Sequence, residues 1–292
     1  MMQGIYPHNF LALERDLCGY DNSRVAVLPI SYDGTVSYGT GARNGPRAII
    51  AASSQVETYD HDFQSEPCRA GIATLEEVQQ RSSGPEAMMA EIEKRALEII
   101  DDGKFLISLG GEHSISYPLV RAQRKMHPDL SVLHIDAHSD LRDEYQGSRY
   151  SHACVMSRIR ECCEFVSVGI RSFCDSENER QAIKEGRLIK PVDYRKNPDS
   201  ISKILSMLTA NIYITFDLDG LDPSMMPAVG TPEPGGLYWD ESIELLMAAG
   251  QKKKIVGADV VELAPIPGLI YPDFAAARLT YKIISIALRG WV

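Results

Sequence analysis

Apolar runs rich in β-branched and aromatic residues recur along the chain, and most are followed by a segment whose apolar positions have helical spacing. We predict a strand at each of eight runs: 25–30, 69–73, 105–109, 131–135, 165–170, 188–192, 211–216 and 255–261. Strands that alternate with helices in this way are typical of a mostly parallel sheet with helices on both faces. The pattern therefore predicts an α/β fold.

Two segments show helical periodicity most clearly. Between residues 86 and 102, Met89, Ile92 and Ala96 recur on one face, and Pro85 stands where the start of a helix tolerates proline. Residues 273–288 also have a broad apolar face. The Pro/Gly-rich stretch 223–236 lies inside the alternating pattern, and we find no repeat or linker, so one domain over residues 1–292 is predicted.

Composition narrows the classes of function. The chain has 292 residues, 44% of them hydrophobic, and its 40 acidic residues outnumber 30 basic ones for a net charge of −10. An acidic chain with no basic cluster beyond residues 252–254 is a poor match for nucleic acid or an anionic membrane. The N-terminus lacks a basic flank before an apolar segment, and no run of eighteen apolar residues occurs, so we expect neither secretion nor a membrane span.

The six cysteines favour a reducing compartment. They are scattered without a C-x-x-C pair in a chain long enough to need no disulfide, so we expect free thiols and a cytoplasmic protein. The adjacent Cys162 and Cys163 are poorly placed to chelate one ion, and thiols without a redox role are the preferred interpretation.

A first cluster of polar residues follows the predicted strand 131–135. Asp136, His138 and Asp140 alternate with small residues, so an extended backbone would point all three side chains the same way. Three strong ligands within five residues are costly to bury unless a cation lies among them. A hydrogen-bonded turn is the alternative that this motif alone leaves open.

A second cluster follows the predicted strand 105–109. Gly110 and Gly111 permit a tight turn and close backbone approach before a helix that is predicted to begin near Ser114. This places His113 at the carboxyl end of a strand. A single histidine there is more often structural than a ligand, so its interpretation depends on the other motifs.

A third cluster follows the predicted strand 211–216. Asp217 and Asp219 are again two positions apart, and two carboxylates on one side of a strand end repel each other unless a cation lies between them. A capping and turn cluster closed by Asp222 and Pro223 is the alternative.

Together the three clusters place two histidines and four aspartates at the carboxyl ends of strands, the edge where parallel α/β sheets bind ligands. The six residues are His113, Asp136, His138, Asp140, Asp217 and Asp219. Six ligands exceed what one catalytic ion can use while leaving a position for substrate, so we predict two ions that share carboxylates. Oxygen-rich ligation with imidazole and no thiolate favours Mn²⁺ over a structural zinc.

The charge of this centre predicts the substrate class. Four carboxylates cancel the charge of two divalent ions, so any further carboxylate makes the site anionic and favours a small cationic substrate. Glu262 stands at the end of the predicted strand 255–261 and supplies one. The paired N–H groups of a planar guanidinium match such a carboxylate.

These motifs resemble the ureohydrolase family, which includes arginase and agmatinase. The shared signatures, in order within residues 25–265, are G-G-E-H-S at 110–114, D-A-H-S-D at 136–140, F-D-L-D-G-L-D-P at 216–223 and G-T-P-E-P-G-G at 230–236. The loop at 37–47 is also similar to the family's first-strand loop. The resemblance implies a three-layer α/β/α sandwich around a mostly parallel sheet of about eight strands. It also implies a homo-oligomer, a trimer or hexamer, with which the terminal Trp291 is compatible as an interface residue.

Carried over position by position, the resemblance implies two Mn²⁺ sites that share two carboxylates. One site is formed by His113, Asp136, Asp140 and Asp217, and the other by His138, Asp136, Asp217 and Asp219. His152 falls where the family has a histidine that shuttles protons, and Glu262 matches its guanidinium-binding glutamate. The histidines without a counterpart, which we expect to be structural or on the surface, are His8, His61, His127 and His134.

The implied reaction is attack of activated water on the guanidino carbon, with release of urea and an amine. Glu262 would orient the substrate, and Asp140 or His152 would protonate the leaving amine. A single-zinc deacetylase shares this general fold, but that class resembles proteins with a His-His pair, which this sequence lacks. A non-catalytic, metal-stabilised scaffold would be expected to have lost part of this residue set, and the set is complete.

Agmatine is the predicted substrate, with putrescine and urea as products in polyamine biosynthesis. Arginases resemble one another in following the last aspartate of their motif with Ile-Asn, whereas Asp140 precedes Leu141 and Arg142 here. Asp143 and Glu144 could attract the distal ammonium of agmatine. Arg142 could instead bind the carboxylate of guanidinobutyrate, although pairing with nearby acids is an equally good interpretation. Aminopropylagmatine and guanidine stay open as substrates.

Overall fold

The eight predicted strands form one sheet in the computed structural model, which describes residues 8–289. The strands are β1 (Val25–Ile30), β2 (Ile72–Thr74), β3 (Phe105–Gly110), β4 (Ser131–Ile135), β5 (Glu164–Val168), β6 (Leu188–Ile189), β7 (Asn211–Asp217) and β8 (Lys254–Val261). Their order across the sheet is β2-β1-β3-β8-β7-β4-β5-β6, and every neighbouring pair is parallel. The predicted parallel α/β sheet is confirmed.

Six of the eight strands differ from their predicted bounds, and proline explains the two largest differences. The segment predicted to be a strand at 69–73 begins within a 3₁₀ helix, Pro67–Ala70, so the strand starts only at Ile72. The strand predicted at 188–192 ends at Ile189, because Pro191 begins a helix. Proline fixes φ near −65° and lacks an N–H, which suits the first position of a helix and weakens a strand.

Ten α-helices lie within residues 8–289. They are α1 (Arg15–Cys18), α2 (Gly45–Ser53), α3 (Pro85–Asp101), α4 (Ser116–Met126), α5 (Val155–Arg160), α6 (Glu177–Lys184), α7 (Pro191–Lys196), α8 (Ser200–Ser206), α9 (Trp239–Lys252) and α10 (Tyr271–Ala287). As predicted, Pro85 is the first residue of α3, and the apolar positions of its predicted face are buried. None of the helices in this range has both the length and the apolarity needed to cross a membrane.

Helices cover both faces of the sheet. Apolar side chains of α3, α4 and α5 pack on one face, and those of α2, α9 and α10 pack on the other. Burial on both faces explains why the strands read as continuous apolar runs rather than as alternating ones. The three-layer α/β/α arrangement expected from the resemblance is therefore present.

The sheet topology brings the polar motifs together. The four strands that precede them, β3, β8, β7 and β4, are consecutive in the centre of the sheet. All strands run in one direction, so the carboxyl ends of these four meet at one edge. The candidate site lies at this edge.

Candidate active site

Close backbone packing positions His113 at the end of β3. A Cβ atom added to Gly111 would lie 1.8 Å from the Tyr32 carbonyl oxygen, so only glycine fits in this turn. The chain then enters a short 3₁₀ helix, His113–Ile115, and the His113 N–H donates to Glu262 Oε1 at 2.7 Å. The turn thus joins two of the predicted site residues, which are 149 positions apart.

Three carboxylates surround the His113 ring. Its Nδ1 lies 3.0 Å from Asp136 Oδ2, 3.3 Å from Asp140 Oδ2 and 3.3 Å from Asp217 Oδ2. The side chain is 1% exposed, and this buried nitrogen has no partner of hydrogen-bonding geometry. We call His113, Asp136, Asp140 and Asp217 the inner cluster.

A second group shares one carboxylate with the first. His138 Nδ1 lies 2.9 Å from Asp219 Oδ2 and 3.6 Å from Asp136 Oδ1. The His138 side chain is 26% exposed, so this group opens to the solvent side of the site. We call His138, Asp136 and Asp219 the outer cluster, and Asp136 belongs to both.

The backbone that carries the site carboxylates is not extended throughout, in contrast to the extended backbone that the sequence predicted for residues 136–140. The alternation predicted for residues 136–140 does not continue to Asp140, because β4 ends at Ile135 and Asp140 has a φ of 52°. Glu262 follows β8 with a φ of 68°. A left-handed conformation at a non-glycine residue costs about 1 kcal/mol or more. At both positions it occurs where a site carboxylate leaves its strand.

Burial and mutual repulsion raise the pKa of several site carboxylates. Burial raises the pKa of Asp217 well above its ordinary value, and the charges of Asp219 and Asp136 add to the effect. Burial and then Asp136 raise the pKa of Asp219. The pKa of Glu262 is raised well above its ordinary range by burial and by Glu112. Without a cation, this group of acids resists full ionisation.

Asp136 differs from the other acids because histidines surround it. Burial alone would raise its pKa, but His134, His113 and His138 hold it well below the ordinary value. Burial would lower the pKa of His138, yet Asp136 and Asp219 raise it to about 12. His113 and His138, whose pKa values are raised, therefore supply positive charge to the acids in the metal-free protein. No ion pair between described residues joins these acids to Lys or Arg.

A cavity of about 170 Å³ opens above the two clusters. Seven of the eight predicted site residues line it: His113, His138, Asp140, His152, Asp217, Asp219 and Glu262. The eighth, Asp136, is fully buried beneath the floor. Among the described residues, Asp143 and Glu144 do not line the cavity, and Asp143 pairs instead with Arg149 and Arg158. The acidic loop therefore does not face the space that a substrate would occupy.

Aromatic and basic side chains form the outer wall of the cavity. Tyr38, Tyr145 and Phe173 lie there, and Tyr38 is 80% exposed. Arg142 also lines the cavity, with its guanidinium 5.2 Å from the centre of the Tyr145 ring. Between residues 8 and 289, the side chains of this outer wall combine apolar surface with one cation and include no carboxylate.

Sequence reasoning missed several buried residues behind the clusters. His134, expected to be structural or on the surface, is buried and its Nε2 lies 2.8 Å from Asp136 Oδ2. His113 Nε2 lies 2.8 Å from Thr215 Oγ1, and that hydroxyl donates to Asp259 Oδ1 at 2.7 Å. The sequence signal for these residues is a polar side chain within an otherwise apolar strand. His134 lies in β4, Thr215 in β7 and Asp259 in β8.

The donor set fits two divalent cations. The buried His113 Nδ1 lacks a hydrogen bond and faces three carboxylate oxygens, which is the environment of a ligand atom. The ligand atoms of Asp136, His138 and Asp219 also lie within 4.8 Å of one another. Imidazole and carboxylate donors without thiolate suit a first-row divalent ion such as Mn²⁺.

Known proteins resemble this chain over almost its whole length. The family model for the arginase family matches residues 23–285. The N(1)-aminopropylagmatine ureohydrolase of Synechocystis sp. is 37% identical over 287 residues, which cover 96% of this chain and 94% of that protein. The agmatinase of Halalkalibacterium halodurans is 32% identical, with 94% of each chain covered. The crystal structure of the agmatine ureohydrolase of Thermoplasma volcanium superposes with a TM-score of 0.85 at 32% identity, covering 95% of this chain and 94% of that one. The chain therefore belongs to the arginase family.

Proposed function

We propose that this chain is a binuclear manganese ureohydrolase that cleaves a guanidino C–N bond of agmatine or of its N1-aminopropyl derivative and releases urea. One observation carries the proposal: the buried His113 Nδ1, with no hydrogen bond of its own, faces three carboxylate oxygens at 3.0–3.3 Å. Such a group is costly to bury unless cations complete it.

The proposed metal ligands are the six residues of the two clusters. We assign one ion to His113, Asp136, Asp140 and Asp217, and the other to His138, Asp136, Asp217 and Asp219. When bound there, two divalent ions supply Lewis-acid activation of water near neutral pH. Thr215 supports this assignment, because it occupies the far nitrogen of His113 and leaves Nδ1 directed at the carboxylates.

Glu262 is the proposed guanidinium-binding residue. Its Oε1 accepts the His113 N–H, and Oε2 has no hydrogen bond to a described residue, so one oxygen remains for the substrate. The carboxylate lines the cavity beside the clusters, where paired guanidinium N–H groups would meet it. His152, on the same cavity, is the proposed group that passes a proton to the leaving amine, with Asp140 as the second candidate.

The cavity wall supports a substrate with an apolar chain and a distal cation. Tyr38, Tyr145 and Phe173 can cover methylene groups and interact with an ammonium through their ring faces. The Synechocystis relative at 37% identity bears the name aminopropylagmatine ureohydrolase, and the relative at 32% bears the name agmatinase. Agmatine as the preferred substrate stays a prediction. The names of these relatives favour aminopropylagmatine as a substrate that is cleaved as well as agmatine or better.

A substrate panel tests the proposal. Urea release from agmatine, aminopropylagmatine, arginine, guanidinobutyrate and guanidine is compared by kcat/KM with the Mn²⁺-loaded protein. We expect one of the first two to exceed arginine by at least about a hundredfold, since a pocket without head-group partners leaves the arginine carboxylate unpaired. Arginine as the best substrate would contradict the assignment.

Guanidinobutyrate is the second candidate, because Arg142 lines the cavity. An Arg142→Gln variant should lose activity on guanidinobutyrate and keep it on agmatine if the guanidinium binds a substrate carboxylate. Equal losses on both substrates would assign Arg142 to the packing of Tyr145 instead.

The domain organisation, the cellular location and the oligomeric state of the proposed enzyme are also predictions. The single sheet supports one catalytic domain over residues 1–292, and the six free thiols support a reducing, cytoplasmic location. Self-association is supported by exposed apolar side chains in one segment, namely Ile266, Leu269, Ile270, Tyr271 and Phe274. Trp291, which the sequence marked as compatible with an interface, lies outside the described residues. Light scattering of an Ile270→Asp variant would show a smaller assembly if this segment is the contact.

A further inference from the structure

A hydrogen-bonded chain leads from His152 away from the cavity. Thr35 Oγ1 lies 3.2 Å from His152 Nδ1, accepts the His152 backbone N–H at 3.0 Å, and donates to Glu112 Oε1 at 2.6 Å. His152 lines the cavity, whereas Thr35 and Glu112 do not. Thr35 therefore contacts the ring of His152 from outside the cavity, and Glu112 contacts Thr35.

Glu112 is fully buried, and its hydrogen bonds come from neutral groups. Its Oε2 accepts the Thr35 N–H at 2.7 Å, and its Oε1 accepts the hydroxyls of Thr35 and Ser114, each at 2.6 Å. No ion pair between described residues includes it. A buried carboxylate without a cation partner is costly, so its position calls for a role beyond stability.

Counting protons on the Thr35 hydroxyl determines the form of the histidine. The hydroxyl has one proton. Glu112 accepts three hydrogen bonds on its two oxygens, an arrangement that favours the ionised carboxylate, so it is the strongest acceptor within reach of that proton. Toward His152 the hydroxyl can then only accept, so its hydrogen bond with the ring requires a proton on the Nδ1 atom of His152. The Ser151 hydroxyl lies farther from the same nitrogen, at 3.4 Å, and can also accept from that proton. In the neutral ring, the lone pair is left on Nε2, the nitrogen on the other edge of the ring.

We propose that Thr35 and Glu112 are positioning residues that hold His152 in its Nδ1–H form, so that Nε2 accepts and returns the proton of the reaction. The inference rests on the proposed function, in which His152 moves protons. Neither Thr35 nor Glu112 touches the substrate in this account, and both act only through the histidine.

The same construction occurs a second time in the molecule. His113 Nε2 lies 2.8 Å from Thr215 Oγ1, which donates to the buried Asp259 at 2.7 Å. In each case a threonine between a histidine and a buried carboxylate fixes which ring nitrogen keeps its lone pair. For His113 that nitrogen is Nδ1, and for His152 it is Nε2.

Thr35→Val tests the inference kinetically, because it keeps the shape of the side chain and removes the hydroxyl. We expect kcat for urea release to fall about 10- to 100-fold with KM nearly unchanged. This loss is part of the rate acceleration of roughly 10²- to 10⁴-fold that a positioned acid–base group contributes. Thr35→Ser should recover most of the loss. The matched control is Ser114→Ala, which removes a hydroxyl from the same Glu112 oxygen without touching His152, and it should change kcat less than about threefold.

A double-mutant cycle separates this role from a structural one. In a His152→Ala background, Thr35→Val should lower kcat no further, since its effect passes through the missing ring. An undiminished second loss would overturn the inference and assign Thr35 to the fold. Full activity of His152→Ala would instead overturn the proposed role of His152, so the two failures are distinguishable.

Glu112→Gln gives a readout that does not depend on activity. The Thr35 N–H still needs an acceptor, so the new amide oxygen should replace Oε2 and the amide nitrogen should donate to the Thr35 oxygen. The threonine proton is then free to point at His152 Nδ1, and the ring should change to its Nε2–H form. ¹⁵N spectra of histidine-labelled protein loaded with diamagnetic Mg²⁺ report the form, and His152→Ala identifies its signal among the seven histidines. An Nδ1–H ring in the native protein and an Nε2–H ring in the variant are expected. A native Nε2–H ring, or no change in Glu112→Gln, would overturn the inference.

Discussion

The inner and outer clusters share Asp136 but differ in their access to solvent. The His113 side chain is 1% exposed and faces three carboxylates, whereas the His138 side chain is 26% exposed and faces two. Electrostatic interactions are stronger where water is excluded, so a cation in the inner cluster is held with less screening. If two ions bind as proposed, we expect the inner one to be retained and the outer one to exchange.

The largest expected effect comes from Asp136, which contacts the histidine of each cluster. Asp136→Asn should lower kcat/KM for urea release by more than about 10³-fold, equivalent to roughly 4 kcal/mol of transition-state stabilisation. Metal analysis of the purified variant should find neither site filled. A variant that retains two ions per chain and near-native activity would remove the basis for a shared carboxylate.

The two histidines should respond differently to replacement. His138→Asn should lower activity about 10- to 100-fold at limiting Mn²⁺, and excess Mn²⁺ should restore much of it because only the open site is weakened. His113→Asn should resist such rescue, since it leaves three buried carboxylates without their histidine. Activity measured across a Mn²⁺ titration distinguishes the variants. Equal rescue of both would contradict the proposed asymmetry.

Stability of the metal-free protein should fall as pH rises from 6.5 to 9. Neighbouring acids raise the pKa of His113 and His138 above the unfolded value, to about 12 for His138. The stability that comes from protonating these histidines is therefore fully present below pH 6.5. It is lost progressively as the pH rises from 6.5 toward the raised pKa values of the folded protein. The raised pKa of Asp217 acts in the same direction, because burial favours its protonated form. The lowered pKa of Asp136 opposes this only at acid pH.

Thermal melts with and without Mn²⁺ measure this dependence. For a chain of this size each kcal/mol corresponds to about 2–4 °C in Tm, so a decline of several degrees is expected in the stripped protein. The Mn²⁺-loaded protein should show a flatter profile, because bound cations replace the protons. A stripped-protein Tm that rises over this range would mean that the acids have other partners.

The smallest expected effect is at the acidic loop. Asp143→Asn and Glu144→Gln should each leave kcat/KM for agmatine within about twofold, since neither residue lines the cavity and Asp143 pairs with Arg149 and Arg158. Either variant serves as the control for Asp136→Asn. A tenfold rise in KM for either would return the loop to substrate binding.

The strands could be predicted, and the candidate metal ligands could be selected, because their signals are local. Strands buried on both faces are continuous apolar runs, and each proposed ligand lies at the end of such a run or in the turn that follows it. The chain Thr35, Glu112 and His152 could not be predicted in this way. Its bonds join residues 77 and 117 positions apart, so the contact exists only after the sheet has assembled.

Failures of the local signals were also instructive. A continued extended backbone was expected up to Asp140, but that residue adopts a positive φ of 52°. The proximity of Asp143 and Glu144 to Asp140 in sequence suggested a role in the pocket, yet the same turn directs Arg142 to the cavity and leaves the two acids outside.

Metal stoichiometry measured together with urea release tests the central claim most directly. Protein stripped by a chelator should release no urea from agmatine or aminopropylagmatine, and activity should return as Mn²⁺ is added and reach its maximum at two ions per chain. Stronger restoration by another divalent ion such as Ni²⁺ would change only the identity of the metal. Full activity in the stripped protein, or a maximum reached at one ion per chain, would contradict the account.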